Sequence, residues 1–114
     1  MNESILDHHT DAFGRGDVDA IVEDFTEEST IIFPKSVITG LDNIREHFVN
    51  LTQNIFTQGT EYELVEKAVV GNISYLIWNA ESDRYKIPFG TDTFIFEDGK
   101  IKVQTVAFML EEKK

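Results

Sequence analysis

The sequence contains no cysteine, and its basic residues are few: 10 Lys and Arg stand against 21 Asp and Glu, for a net charge of −11. Without cysteine the chain can form no disulfide, offers no thiol nucleophile and cannot bind zinc through thiolates. Surfaces that bind nucleic acid or anionic membranes need clustered Lys and Arg. The charge balance therefore predicts neither a nucleic-acid partner nor a membrane partner.

Long apolar runs and cofactor motifs are also missing. No stretch approaches membrane-spanning length, and "MNESILDHH" at the N-terminus lacks the basic and apolar regions of a secretory signal. We therefore expect a cytoplasmic location, where the sequons at Asn50 and Asn72 are coincidental. Adjacent His8 and His9 cannot share one metal ion on a helix, and no phosphate-binding or dinucleotide loop occurs. The sequence predicts no metal and no cofactor.

What is present fits one globular domain covering residues 1–114. Apolar residues make up 41% of the chain, including nine Phe, which is enough for a single core. The first half reads as helical, with one strand, "STIIF", stopped by Pro34. Three helices are expected: Ser4 to about Phe13, then "VDAIVEDF" capped by Asp17, then "TGLDNIREHFVNLTQNIF", which opens with Thr39 and Asp42 in capping-box spacing.

The second half reads as four strands joined by short turns. "VVGNIS" and "FEDGKI" place Asn or Asp beside Gly, which is typical of tight hairpins. Near Gly90 the apolar positions change from odd to even numbers, so we expect a β-bulge there. This order of elements predicts an α+β fold in which a strongly curved antiparallel sheet packs on three helices. The strands are expected at Glu61–Val70, Ile73–Ala80, Tyr85–Glu97 and Lys100–Leu110.

His9 lies on the apolar side of the first predicted helix. At 100° per residue its direction nearly coincides with the mean direction of Ile5, Leu6 and the other apolar positions, whereas His8 lies about 100° away. His9 is therefore expected to point into the core or a cavity, and His8 to lie at the rim or in solvent. A hydrogen-bonded core histidine is the alternative interpretation of His9.

Asp92 shares a strand face with Phe94 and Phe96, so its carboxylate is predicted to point inward. A buried carboxylate must be paired, hydrogen-bonded or protonated, and burial in an apolar site raises its pKa. On the next strand, Gln104 has the same parity as Val106 and Phe108 and can face the same space. The alternatives are a structural hydrogen bond at the bulge for Asp92 and simple exposure at a sheet edge for Gln104.

Three segments, taken in order, have the pattern of a known family. They are "FGRGDVDAIVEDFTEESTIIFP", "ITGLDNIREHF" and "DTFIFEDGKI". Their order and spacing resemble the nuclear transport factor 2-like superfamily, in the SnoaL-like branch that includes polyketide cyclases and ketosteroid isomerase. The resemblance spans nearly the whole chain. It implies a cone-shaped, cystatin-like α+β barrel with an apolar pocket, and a homodimer through the outer face of the sheet.

The resemblance also suggests roles for individual residues. His9 takes the position of the oxyanion-hole tyrosine of ketosteroid isomerase, and Asp92 that of its protonated aspartic acid. The general base of the isomerase would fall on Phe33, and phenylalanine cannot move protons. Steroid-type isomerisation is therefore not expected. Polyketide-cyclase-type chemistry, with His9 and Asp92 as the acid/base pair, stays open.

These observations lead to one main hypothesis, an enzyme acting on an apolar, carbonyl-bearing small molecule. Asp92 would be the neutral acid, His9 its partner or the base, and Gln104 would orient the ligand. A non-catalytic binding module and a dimerisation domain with a filled cavity are the alternatives. The predicted pocket walls are Phe13, Phe33, Phe48, Trp78, Phe94 and Phe108. The predicted dimer face contains Thr93, Ile95, Val103 and Thr105.

Overall fold

The computed structural model describes residues 2–114, which fold as an α+β domain with the helices toward the N-terminus. No helix follows Asn79 within this range, in agreement with the sequence prediction. None of the helices in residues 2–114 has the length and apolar character to cross a membrane. The described elements are α1 (Asn2–Arg15), α2 (Val18–Val22), β1 (Thr30–Phe33), β2 (Ser36–Thr39), α3 (Leu41–Asn54), β3 (Glu61–Val70), β4 (Ile73–Glu81), β5 (Tyr85–Glu97), β6 (Lys100–Phe108) and β7 (Glu111–Glu112).

The strands form one large curved sheet in the order β2-β1-β6-β5-β4-β3, and β7 pairs with the start of β5. Strands β3 to β6 are an antiparallel meander that follows the chain. The pairing of β1 with β6 is parallel, because the chain passes from β2 through α3 before the meander begins. The sheet does not close on itself, so its concave face is left for the helices to cover.

The predicted start of α1 is wrong, whereas the cap of α2 is confirmed. Helix α1 already includes Asn2, so Ser4 lies inside its first turn and is not its N-cap. Helix α1 ends just before Gly16, whose φ of 68° is the left-handed conformation that glycine commonly adopts after a helix. The carboxylate of Asp17 accepts a hydrogen bond of 3.1 Å from the backbone N–H of Ala20. Helix α2 ends at Val22, three residues earlier than predicted.

The chain around Thr39 also differs from the sequence prediction. Thr39 ends β2, a strand that the prediction missed, and Gly40 is the N-cap of α3. The first free N–H of α3, at Leu41, is bonded by the Glu27 carboxylate at 2.6 Å instead of by a capping box. Because Glu27 lies 14 residues before Leu41 in the sequence, no local motif could have predicted that it caps α3.

Gly90 is the site of the predicted bulge and of a close packing contact. Trp78 pairs with Gly90 while Ala80 pairs with Ile87, so β5 carries one extra residue between the two pairs. A Cβ atom at Gly90 would lie 2.5 Å from two atoms of the Trp78 indole. The glycine is therefore required for the indole to lie flat against β5.

The core lies between the helices and the concave face of the sheet. Its largest fully buried side chains include Leu6 of α1, Ile44 and Phe48 of α3, and Phe94 and Ile101 of the β5–β6 hairpin. A smaller cluster of Phe56, Ala80 and Ile87 fills the other end of the domain. Between the two clusters the packing is incomplete, and a cavity remains.

Candidate functional site

The cavity has a volume of about 320 Å³ and lies between α1, α3 and the inner face of the sheet. Its wall includes many aromatic side chains, among them Phe13, Phe33, Phe48, Phe56, Trp78 and Phe108. It opens at β3, because Leu64 lines the cavity and is still 54% exposed. Its polar lining residues include His9, His47, Asp92 and Gln104, and charged side chains of α1 and β3 also contribute.

The carboxyl group of Asp92 points into this cavity and is held by two N–H donors. The indole Nε1 of Trp78 donates to Oδ1 at 3.2 Å, and the amide Nε2 of Gln104 donates to Oδ2 at 3.3 Å. Gln104 thus faces the same space as Asp92, as its parity on β6 predicted. Burial raises the pKa of Asp92 to about 7, although the hydrogen bonds from Trp78 and then Gln104 act in the opposite direction. Near neutral pH the group is present as both acid and carboxylate.

Sheet register explains why these two donors reach Asp92. Asp92 pairs with Leu76 of β4 and with Val106 of β6. Trp78 and Gln104 lie two residues from those partners on the same face, which makes them diagonal neighbours of Asp92. The sequence indicated the inward parity of Gln104, but the role of Trp78 as a donor was missed, since it depends on the register across the β4–β5 hairpin.

His9 lies inside, as predicted, but makes no hydrogen bond with Asp92 within residues 2–114. The edges of three rings surround its imidazole, those of Phe25, Phe48 and Phe94 at centroid distances of 5.2 to 5.9 Å. Its Nδ1 is buried without a partner among the described residues. Burial, and then the charge of His8, lower the pKa of His9 to about 4. The direct partners of Asp92 are therefore Trp78 and Gln104, and not His9.

His8 lies outside the cavity, at the contact between α1 and the segment after α2. Its Nδ1 is 2.7 Å from Oδ2 of Asp24. This hydrogen bond to Asp24, together with the charge of that carboxylate, raises the pKa of His8. The helical-wheel prediction that His9, not His8, points inward is confirmed.

Among the titratable lining residues that were not predicted as site residues, His47 and Tyr62 have shifted pKa values. His47 of α3 packs on Phe33 and Phe48, with ring centroids 4.8 and 5.1 Å apart, and burial lowers its pKa to about 4. Tyr62 of β3 stacks on Phe56 at 6.0 Å, and burial raises its pKa, so the phenol stays protonated. The only sequence signal for His47 is its place next to Phe48, at the edge of the apolar stripe of α3.

Of the six predicted wall residues, the structure places five in the lining and one behind it. Phe94 is fully buried and stacks on Phe96, so it supports the ring of His9 and does not face the cavity. The prediction for Phe94 is wrong because alternation shows which face of the sheet a side chain takes but not whether another side chain covers it. The five that line the cavity are Phe13, Phe33, Phe48, Trp78 and Phe108.

Metal-binding geometry is not found in residues 2–114, where no three His, Asp or Glu side chains cluster closely enough to hold an ion. Charged side chains at the cavity are confined to its opening, apart from Asp92. Lys67 of β3 binds Glu3 at 3.0 Å and lies 3.5 Å from Asp7, which ties α1 to β3 beside the opening. The interior therefore offers a titratable carboxyl group and neutral imidazoles in aromatic surroundings.

Helices that cover a curved, open sheet around such a cavity define a class of small α+β domains. The SnoaL-like domain family matches residues 6–104, and the chain belongs to that family, within the nuclear transport factor 2-like superfamily. The resemblance noted in the sequence is thus confirmed. None of the curated proteins matches the chain in sequence.

Solved structures agree with this assignment. SalBIII, described as an epoxide hydrolase/cyclase-like enzyme in pyran ring formation in the polyether salinomycin, is 26% identical with a TM-score of 0.76, over 95% of this chain and 90% of its own. A candidate polyketide cyclase from Sinorhizobium meliloti is 20% identical with a TM-score of 0.76, over 90% and 93%. A candidate ketosteroid isomerase from Kribbella flavida is 11% identical with a TM-score of 0.78, over 99% and 81%.

Proposed function

We propose that the chain binds an apolar, carbonyl-bearing small molecule in the cavity and catalyses acid/base chemistry on it, as an isomerase or cyclase. One observation supports this most strongly: a carboxyl group with a pKa of about 7 is held in the wall of an aromatic cavity of about 320 Å³. General acids work best when their pKa is close to the working pH. Most carboxyl groups on a protein surface titrate about three units lower.

Asp92 is placed to act as the acid. In its neutral form it can donate a proton to a carbonyl oxygen bound beside it, since each carboxyl oxygen keeps a lone-pair position beyond the bonds from Trp78 and Gln104. When the proton leaves, those two N–H groups stabilise the new carboxylate. The two hydrogen bonds therefore stabilise the carboxylate that forms when Asp92 gives up its proton. They do not prevent Asp92 from being protonated before the reaction.

The family and its structural neighbours support isomerase or cyclase chemistry. The residues that line the cavity reduce the number of reactions that fit. Steroid-type isomerisation is disfavoured by Phe33, which lines the wall where the resemblance would put a general base. A domain with a filled interior is disfavoured by the open volume of about 320 Å³. A non-catalytic binding module using the same cavity is the remaining alternative. We also keep the predictions of a cytoplasmic location and of activity without metal or cofactor.

Hydrogen–deuterium exchange of a small ketone tests the proposal. In heavy water, protonation of the carbonyl oxygen of 1-tetralone coupled to removal of an α proton gives the enol, and the return step inserts deuterium. We expect the wild-type protein to accelerate this exchange well above buffer at pH 6, measured by mass spectrometry. Calorimetry on the same ketone separates the alternatives, because binding without exchange would identify a non-catalytic module. Neither binding nor exchange over a panel of cyclic ketones and lactones would contradict the proposal.

A homodimer through the outer face of the sheet is the second part of the proposal. On that face Ile73 pairs with Ile95, and Ile95 in turn pairs with Val103, so apolar side chains adjoin across three strands. Ile73 and Tyr75 are 45% and 38% exposed. A continuous apolar face of this kind is typical of a surface that another subunit covers.

Val103→Lys is expected to convert the dimer to a monomer, because the ammonium group would have to be buried against the partner. Sedimentation velocity at micromolar concentration measures the change. Leu110→Lys is the matched control, since Leu110 is 42% exposed but lies beyond β6, and this variant should stay dimeric. A wild-type protein that sediments as a monomer would contradict this part of the proposal.

A further inference from the structure

Enolisation needs a base as well as an acid, and the lining of the cavity limits which side chain can serve. Asp7 and Lys67 lie 3.5 Å from each other at the opening, and the carboxylate of Glu63 accepts a hydrogen bond of 2.8 Å from Asn79. Tyr62 stays protonated, because burial raises its pKa. Asp92 is already the acid. Two neutral imidazoles remain as candidates for the base, those of His9 and His47.

His9 is poorly placed to accept a proton from a ligand. It is only 3% exposed, and three phenylalanine rings surround it. Its Nδ1 is buried and unpartnered among the described residues, so any charge that the ring acquires would have no compensating group at that atom. The position of His9 therefore suits a packed imidazole that shapes the floor of the cavity.

His47 has the access that His9 lacks. It is only partly buried. It lines the cavity on one side and, on the other, an open surface groove formed by α3 and β2. The groove also contains Glu46, Asn43 and Asn50. The imidazole thus lies in the wall between the cavity and solvent.

We propose that His47 is the general base of the reaction, an inference that rests on the proposed function. The imidazole nitrogen of His47 takes the α proton of the bound ketone, and the C–H electron pair forms the C=C bond. The carbonyl π pair moves to oxygen, which takes the proton of Asp92. The reaction leaves an imidazolium and a carboxylate, and the reverse steps restore both groups. The imidazolium exchanges its proton with water through the groove, which is how deuterium enters.

The test compares His47→Gln with wild type in the 1-tetralone exchange assay, with Gln53→Asn as the control. Gln53 is exposed on α3 and lines neither the cavity nor the groove, so its variant should keep the wild-type rate within about twofold. We expect His47→Gln to lower kcat/KM by about 100-fold or more.

The pH dependence of kcat/KM is a second measurement. In the wild-type protein kcat/KM should rise near pH 4, as His47 loses its proton, and decline near pH 7, as Asp92 loses its proton. In His47→Gln the rise near pH 4 should be absent, although His9, whose pKa is also about 4, is still in place.

Chemical rescue distinguishes a base from a structural residue. Imidazole added to His47→Ala should restore exchange in proportion to its concentration, because the groove gives it a path to the vacated position. If either variant fails to fold, ring resonances of His47 in the wild-type protein provide the test, and they must shift when 1-tetralone is added. Wild-type rates in His47→Gln, unshifted resonances, or loss of activity only in His9→Gln would overturn the inference. A wild-type protein without any exchange would instead refute the proposed function itself.

Discussion

Replacing Asp92 by asparagine is expected to reduce the rate of ketone exchange by about 100- to 10,000-fold while the fold is retained. The asparagine amide cannot transfer a proton to the carbonyl oxygen, because it is far less acidic than a carboxylic acid. It can still accept the hydrogen bond from the Trp78 indole, and it can donate to Oε1 of Gln104, which has no partner among residues 2–114. The side chain of Gln104 needs only a rotation of its amide for this exchange of partners.

The measurement is kcat/KM for 1-tetralone in both proteins at pH 6, with circular dichroism to verify folding. Asp98→Asn is the matched control, since Asp98 lies exposed in the β5–β6 turn with a φ of 53°, a conformation that asparagine tolerates. This control should behave as wild type. A folded Asp92→Asn with the wild-type rate would remove Asp92 from the mechanism, whereas an unfolded one would show that its role is structural.

Asp92→Asn is also expected to gain stability relative to wild type as the pH rises from 4 to 8. Burial raises the pKa of Asp92 from its ordinary value of 3.8 to about 7, so the folded state binds the proton more tightly than the unfolded state does. That contribution to stability is complete below pH 3.8 and is lost as the pH rises through 7. The loss is on the order of 4 kcal/mol, and the uncharged amide does not suffer it.

Wild type and Asp92→Asn must be compared at each pH, because the buried histidines change the stability of the fold with pH in the opposite direction to Asp92. The lowered pKa values of His9 and His47, both about 4, make the folded state more stable as the pH rises from 4 to 6.5. These contributions are common to wild type and Asp92→Asn, so they cancel in the difference. Urea unfolding at pH 5 and at pH 8 gives that difference, and Asp98→Asn should show none. A difference independent of pH would contradict the buried neutral acid.

The chain's local patterns were sufficient to predict the two most unusual inward-pointing polar groups. Strand alternation placed Asp92 on the phenylalanine face once the bulge at Gly90 was allowed for, and the helical period placed His9 inside. Both predictions depend only on residues close in sequence. The family resemblance then supplied the arrangement of helices and sheet, which the structure confirms.

The remaining features of the site depend on contacts between distant segments. Trp78 reaches Asp92 only because of the register between β4 and β5, and His47 is drawn into the lining by packing against Phe33 of β1. Neither contact leaves a periodic signal in the sequence. The enclosure of His9 by three rings is also tertiary, which is why the sequence favoured His9 over His47 as the partner of Asp92.

The pKa of Asp92 in the folded protein tests the central claim most directly. Carbon-13 NMR of the aspartate carboxyl groups, recorded from pH 3 to pH 9 and assigned by comparison with Asp92→Asn, follows this single group. We expect a titration midpoint near 7, well separated from the other aspartates, because burial raises the pKa of Asp92 to about 7. A midpoint near 4 would mean that Asp92 is an ordinary carboxylate, and the proposed acid would not exist.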